Sequence, residues 1–169
     1  MPRTNPKVSQ QHPTPQVEFE RPRDVYEFEI RTGYAHIHIH GLEAPLQEAR
    51  IRALEGVARA GVSIDFLKLT QSGMAFLVAE EQAQKTQDAL SALGLNFRAG
   101  KDYAILIVHS VNMRDENGRI AKIVSIAIGT GARIDHLSDM HDRVLIVTHR
   151  EHASGLAEAL QATLSEAKG

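Results

Sequence analysis

The strongest constraint on this chain is an internal repeat with a period of about 70 residues. One set of residues recurs 70 positions later: Gly61, Ile64, Asp65 and Leu67 return as Gly131, Ile134, Asp135 and Leu137. A second set recurs 69 positions later: Tyr34, Ala35 and His40 return as Tyr103, Ala104 and His109. The two spacings differ by one residue, which indicates a single insertion or deletion in a loop, where length changes are tolerated. The repeat predicts two copies of one supersecondary unit.

Hydrophobic periodicity predicts the elements of each copy. Residues 34–40 alternate apolar and polar side chains, which is the period of a strand. Apolar residues at helical spacing from Leu46 to Ala58 predict a helix that ends at Gly61. Strands at 62–70 and 74–79 and a helix from Ala83 to Leu93 complete the first copy. The second copy has the same order, with strands at 105–109, 133–138 and 144–148 and helices at 120–127 and 153–164.

This order predicts an α+β fold of two ferredoxin-like βαββαβ units in tandem, with antiparallel sheets and helices on one face. Residues 25–30 also alternate, and we expect them to add one more edge strand. The first unit is expected at 24–99 and the second at 100–169. Residues 1–23 contain five of the six prolines, and residues 1–17 have almost no large apolar side chain, which predicts a disordered N-terminal tail.

Composition excludes several classes of function. The formal net charge is −2, so nothing draws the chain toward nucleic acid or anionic lipid. There is no cysteine, which excludes disulfides, thiolate nucleophiles and Cys-ligated zinc. No apolar run approaches the roughly 20 residues of a membrane span, and no signal pattern opens the chain. We therefore expect a cytoplasmic protein without nucleic-acid or membrane partners and without a cofactor.

The second copy resembles the paired ACT domains that form the regulatory region of aspartokinases. Residues 117–123 (NGRIAKI) are similar to a helix start of that family in which glycine follows proline or arginine. Residues 134–138 (IDHLS) are similar to the family's strand of isoleucine, acid and, two positions later, a hydrophobic residue before serine or threonine. Tyr103 to Ile146 can be laid on the family pattern without a gap, and the first copy matches through residues 60–65.

The resemblance implies a regulatory module that senses a small amino acid such as lysine or threonine. It further implies a homodimer or higher homo-oligomer, and a separate kinase subunit as partner, because the kinase domain is absent from this chain. The implied ligand-binding residues are Met113, Asn117, Gly118, Arg119, Ile120, Asp135 and Ser138, with Asp65 in the first copy. Gly118 would admit a carboxylate to free N–H groups, Asp135 would pair with an amino group, and Ser138 would add a hydroxyl.

The first copy departs from the family pattern. Ala44-Pro45-Leu46 replaces the glycine-containing helix start, and Glu48 would repel a carboxylate there. We therefore expect at most one competent kind of ligand site per chain, centred on Gly118 and Asp135. An alternative is an oligomerisation or adaptor module that has lost its ligand.

Three histidines alternate along one strand: His36, His38 and His40. Residues two apart on a strand share a face at a spacing of about 6.8 Å, so these imidazoles form a weak candidate for a metal site. The other interpretations are a half-exposed strand or a pH-responsive interface. No catalytic constellation or phosphate-binding loop is present in the sequence, so we expect a protein that is not an enzyme.

Overall fold

The computed structural model describes residues 27–110, 118–140 and 142–166. The expected tail at 1–23 and the first residues of the expected strand at 25–30 lie outside these ranges. The elements are β1 Glu27–Ile39, α1 Leu46–Arg59, β2 Phe66–Thr70, β3 Gly73–Ala79, α2 Ala83–Ala92, β4 Phe97–His109, α3 Arg119–Gly129, β5 Ile134–Asp139, β6 Arg143–His149 and α4 Arg150–Glu166. A single 3-10 turn, Glu80–Gln82, leads into α2.

The α+β prediction is confirmed, since the strands form an antiparallel sheet with helices on one face. All described pairings are antiparallel, and the six strands follow the order β2-β3-β1-β4-β6-β5. The prediction of separate strands at 25–30 and 34–40 is wrong, because residues 27–30 and 34–39 belong to one continuous strand, β1. The prediction of an edge strand at residues 25–30 is confirmed over the described residues 27–30, because this part of β1 pairs with β4 and not with β3.

The two longest strands join the repeats. β1 pairs with β4 from Glu27 opposite His109 to Ile39 opposite Phe97. Only residues 34–39 of β1 also pair with β3, and only residues 103–109 of β4 also pair with β6. We call β2, β3 and the adjoining ends of β1 and β4 the first half-sheet, and β5, β6 and the other ends of β1 and β4 the second half-sheet. Each repeat therefore receives its fourth strand from the other, and the expected boundary at 99/100 lies inside β4.

The sheet bends sharply where the half-sheets meet. The register of β1 against β4 shifts on both sides of the Tyr34–Tyr103 pair, and Gly33 and Asp102 adopt φ values of 84° and 61° at equivalent positions of the repeat. Phe66 of β2 and His136 of β5 belong to opposite edge strands, yet their ring centroids are 5.6 Å apart. In a flat sheet, a spacing of about 4.8 Å per strand would separate these edges by roughly 24 Å. The half-sheets therefore face each other.

Three apolar clusters occupy the layers that result. α1 and α2 cover the outer side of the first half-sheet over residues such as Ile37, Phe76 and Leu90. α3 and α4 cover the outer side of the second half-sheet over residues such as Leu106 and Ile146. The third cluster lies on the inner side, between the half-sheets, and contains Leu77, Tyr103, Ile105, Ile107 and Val147. The alternation along β1 and β4 thus buries both faces of the sheet.

At Gly73, the backbone of β3 lies very close to the backbone at the end of β1. A Cβ at this position would lie 2.0 Å from the carbonyl oxygen of Ile39. We expect Gly73→Ala to destabilise the protein by about 1–3 kcal/mol, because backbone has to move. A matched control is Gly129→Ala near the end of α3, where a Cβ meets nothing within 4 Å. Urea unfolding of both variants provides the measurement, and equal midpoints would contradict the packing described.

Candidate functional site

The expected ligand-binding residues of the second copy occupy several surroundings. Met113 and Asn117 lie outside the described residues. Gly118 caps the start of α3 with a φ of 83°, and no side chain caps this end of the helix within the described part of the chain. Arg119 is buried and donates a hydrogen bond from Nη1 to Ser110 Oγ at 2.8 Å. Ile120 packs against the cluster under α3 and α4.

Asp135 lies at the other end of α3 from Gly118. The helix runs from the end of β4 to the start of β5, and its 11 residues span about 16 Å. Ser138 lies three residues further along β5, opposite Leu145, on the inner side of the sheet. Within one chain, therefore, the helix start and Asp135 do not form a single clamp around a small ligand.

A cavity of about 390 Å³ lies between the two half-sheets next to Asp135. Strands from both repeats contribute to its wall, because β1 and β4 bend around it. The side chains that define its chemistry are His36, His38, Arg98, Tyr103, Asp135 and His136. We call it the inner cavity.

The Asp135 carboxylate is nine-tenths buried in the wall of the inner cavity, with 10% of the side chain exposed. Its Oδ1 accepts hydrogen bonds from Nε and Nη2 of Arg133 at 3.2 and 3.0 Å. Its Oδ2 is buried and has no hydrogen-bond partner within the described residues. A buried carboxylate oxygen without a partner is costly, so this atom marks a place for a donor.

The equivalent acid of the first repeat is satisfied differently. Asp65 is exposed, and its Oδ2 accepts a hydrogen bond of 2.5 Å from the Tyr34 hydroxyl. Burial of Tyr34, together with this bond, raises the pKa of the phenol to about 12, so it remains a donor at neutral pH. The two equivalent acids therefore differ: Asp65 Oδ2 has a hydrogen-bond partner, whereas Asp135 Oδ2 has none within the described residues.

Two histidines join the half-sheets beside Asp135. His36 Nε2 of β1 lies 2.8 Å from His136 Nε2 of β5, and the ring centroids are 4.9 Å apart. Tyr103 lies against the His36 ring at 5.1 Å, and Phe66 stacks on His136 at 5.6 Å. Sequence reasoning missed His136 as a partner, because the contact arises only when the sheet bends.

Burial keeps both imidazoles uncharged at neutral pH. Desolvation, then the nearby His136, lowers the pKa of His36 to about 4. Desolvation, then Lys68, lowers the pKa of His136. The His136 Nδ1 atom is buried and has no hydrogen-bond partner within the described residues.

The metal hypothesis for His36, His38 and His40 gains no support. Among residues 27–110, 118–140 and 142–166, no group of three or more His, Asp or Glu side chains is arranged to hold a metal ion. His36 turns to His136, whereas the rings of His38 and His40 meet edge to face at 5.9 Å. The spacing along the strand predicts one common set of metal ligands, but His36 contacts His136 while His38 and His40 contact each other.

A second cavity, of about 530 Å³, adjoins the start of α1. Glu43, Glu48 and Arg52 line it together with backbone of the β1–α1 loop and the turn before β4. This is the first-repeat counterpart of the Gly118 region. Its two carboxylates against one guanidinium agree with the sequence argument that a ligand carboxylate is disfavoured there.

The comparisons with known proteins identify the fold. No protein family model and no curated protein sequence matches this chain. The regulatory subunit of aspartate kinase from Thermus thermophilus, in its ligand-free form, is similar in structure, with a TM-score of 0.71 and 20% identity. The match covers 80% of this chain and 94% of that subunit. This is the fold of aspartate kinase regulatory subunits.

Complete aspartate kinases contain the same fold as a part. The enzyme from Clostridium acetobutylicum matches with a TM-score of 0.75 and 9% identity over 88% of this chain and 37% of that one. Escherichia coli aspartokinase III, in complex with lysine and aspartate, matches with a TM-score of 0.67 and 13% identity over 86% of this chain and 34% of that one. Within the described ranges, no helix is long and apolar enough to cross a membrane.

His36 should make stability depend on pH. Its folded pKa of about 4 lies below the unfolded value of 6.5, so its contribution is complete above pH 6.5 and is lost as pH falls toward 4. The groups around it are His38, Arg98, Tyr103, Arg133, Asp135 and His136. Because the ring is only partly buried, we expect a loss of about 1–2 kcal/mol.

The variant His36→Phe keeps a ring but removes the titration. Urea unfolding of both proteins at pH 8 and pH 5 should show a smaller drop in unfolding free energy for the variant. Equal drops would show that His36 does not carry the effect.

Proposed function

We propose that this chain is a non-catalytic regulatory module that binds a small amino acid and transmits the binding to a separate kinase subunit. The observation that carries the proposal is the extent of the fold match, which covers 94% of a protein that is a regulatory subunit in its own right. The chain contains both repeats of that fold, joined by β1 and β4, and thus has the size of such a subunit.

The charges around the inner cavity favour an amino acid as the ligand. The Asp135 carboxylate is buried in the wall, whereas the Arg98 and Arg133 side chains are exposed at the surface. This layout suits a compact zwitterion whose amino group faces inward and whose carboxylate faces the guanidinium groups. One protein that contains this fold, Escherichia coli aspartokinase III, has a structure in complex with lysine, which supports lysine as the first candidate. Threonine is the second candidate.

The proposed ligand-binding residues form two separate sets. Asp135 and Ser138 belong to the inner side of the sheet, and Asp65 is their counterpart in the first repeat. Gly118, Arg119 and Ile120 form the start of α3, where backbone N–H groups suit a carboxylate. We propose the Asp135 set as the principal site within one chain, because the inner cavity adjoins it.

The location of the inner cavity suggests how binding is transmitted. Its wall combines strands of both half-sheets, so an occupant contacts the two repeats at once. A ligand that prefers one arrangement of the half-sheets shifts the population toward it. A partner that distinguishes those arrangements then responds to the ligand.

Isothermal titration calorimetry with each common amino acid tests the function. We expect saturable heat with at least one of them, lysine and threonine being tried first. Asp135→Ala should weaken binding about tenfold or more, as expected when a charge-assisted hydrogen bond is removed. If no amino acid gives heat, a ligand-free adaptor module becomes the better description. If an amino acid binds and Asp135→Ala binds it equally well, Asp135 is not part of the site.

We further propose that two chains associate through β2. This strand is an edge of the sheet, so its outer hydrogen-bonding groups are available to another strand. Two large apolar side chains of β2, Leu67 and Leu69, are 46% and 55% exposed and share the side of the strand that faces the helices. A second copy of β2 placed antiparallel would cover both leucines and complete the ladder.

The variant Leu69→Glu should convert such a dimer into a monomer, because a charge would enter the apolar contact. Ile128→Glu is the matched control, since Ile128 is 65% exposed on α3, outside β2. Analytical ultracentrifugation of the two variants beside the unaltered protein gives the masses. A dimer that persists in Leu69→Glu would rule out this edge as the contact.

A further inference from the structure

The phenol of Tyr103 lies in the wall of the inner cavity with an uncommitted hydroxyl. The residue is only 9% exposed, and its hydroxyl has no hydrogen-bond partner within the described residues. Unlike Asp135 Oδ2, the hydroxyl oxygen is not completely buried. Because Tyr103 lines the inner cavity, that cavity is the open space beside the phenol. A tyrosine hydroxyl in an interior normally has a partner, so this one is available to a molecule in the cavity.

The equivalent tyrosine of the first repeat is already bonded. Tyr34 lies 69 residues earlier and donates its hydroxyl to Asp65 Oδ2. In the second repeat the equivalent acid is Asp135, which accepts hydrogen bonds from Arg133 instead. The acid that could bond to Tyr103 therefore has another donor, and the phenol remains unpaired.

A glycine allows the Tyr103 ring to take its position. A Cβ on Gly100 would lie 2.9 Å from Tyr103 Cε2 and 3.6 Å from the hydroxyl oxygen, so the hydroxyl end of the ring lies over the Gly100 backbone. The equivalent residue of the first repeat is Arg31, whose side chain pairs with Glu29. Glycine in place of arginine thus gives Tyr103 a place against the strand that Tyr34 does not have.

Two imidazoles hold the Tyr103 ring there. The His36 ring lies 5.1 Å from it between centroids, and the His149 ring meets it edge to face at 5.8 Å. His36 is also the residue opposite Gly100 in the β1–β4 ladder. The phenol is therefore ordered before any ligand arrives, which reduces the entropy lost on binding.

The surroundings of the hydroxyl favour an anionic acceptor. Arg98 precedes Gly100 by two residues on β4, so both lie on the same side of the strand, and both line the inner cavity. Burial, then the charge of Asp135, raises the pKa of Tyr103, so the phenol keeps its proton at neutral pH. A phenol donor near a guanidinium is a suitable pair for the two oxygens of a carboxylate.

We infer that Tyr103 is a ligand-binding residue, whose hydroxyl donates a hydrogen bond to a carboxylate oxygen of the occupant of the inner cavity. Gly100 is its positioning residue, because it acts only through the place it leaves for the ring. The inference rests on the proposed function for the amino acid. It deepens that function by naming a contact outside the residues that the sequence motifs predict.

Other partners suit this hydroxyl less well. An ammonium group would use the phenol as an acceptor and would lie near the positive charge of Arg98. An apolar group would cover the hydroxyl and leave it without any hydrogen bond. Both are outcomes that the experiment separates.

Carbon-13 NMR of the full chain, with tyrosine labelled at Cζ, tests the inference with sodium acetate as the probe. The chain has three tyrosines, so the signals can be assigned from single Tyr→Phe variants. Acetate should shift the Tyr103 signal saturably and leave the Tyr34 signal in place, because that hydroxyl is bonded to Asp65. Methylammonium chloride at equal ionic strength should not shift the Tyr103 signal.

Tyr103→Phe removes only the hydroxyl and should weaken acetate binding about tenfold or more, followed by the backbone amide shifts of the cavity wall. Its urea midpoint should stay unchanged, because the hydroxyl has no partner to lose. Gly100→Ala retains the hydroxyl but displaces the ring, and should also weaken binding. The matched control is Tyr34→Phe, which should bind acetate as the unaltered protein does.

Three results would overturn the inference: no saturable shift of the Tyr103 signal with acetate, an equal or larger shift with methylammonium, or equal acetate binding by Tyr103→Phe and Tyr34→Phe. The proposed function can fail separately. Acetate binding at Tyr103 without a response to any amino acid would contradict the function and leave the carboxylate contact standing. Amino-acid binding that Tyr103→Phe does not weaken would contradict the contact and leave the function standing.

Discussion

The pairing of β1 with β4 is the constraint on which the rest of the structure depends. These 13-residue strands pair along their whole length, and each serves one repeat with its first part and the other with its second. The bend at Gly33 and Asp102 then turns the half-sheets toward each other. Without that bend, the inner apolar cluster would face water and Asp135 would lie on an open surface. The inner cavity is thus a product of strand pairing between repeats.

The bend also decides the electrostatics of the cavity. His36 and His136 come from strands that are three positions apart in the sheet, and only the folded-back arrangement places their Nε2 atoms in contact. Burial between the half-sheets removes water from both rings and lowers their pKa values. Among the described residues, Asp135 has one ion-pair partner, Arg133, whose guanidinium remains largely in water.

Much of the fold could be predicted from the sequence, because helices and repeat spacing are local signals. The helix at Leu46–Arg59 and the strand at Gly73–Ala79 follow from apolar spacing within a few residues. The strand predicted at 105–109 is shorter than β4, because residues 97–102 have no clean alternation of apolar and polar side chains. The site was harder still: Asp135 was named from its motif, but its distance from Gly118 depends on the path of α3. His136 had no local signal, since its partner lies 100 residues away.

Tyr34 and Tyr103 are equivalent in the repeat, and they also lie opposite each other in the β1–β4 ladder. They therefore mark an approximate two-fold axis inside one chain, like that between two subunits that exchange strands. In a true dimer of identical subunits, any substitution appears on both sides of the axis. Here the two sides are encoded separately, so Asp65 accepts a hydrogen bond from Tyr34 while the equivalent Asp135 pairs with Arg133. Covalent linkage of the repeats is what allows a symmetric frame to carry different side-chain surroundings at equivalent positions.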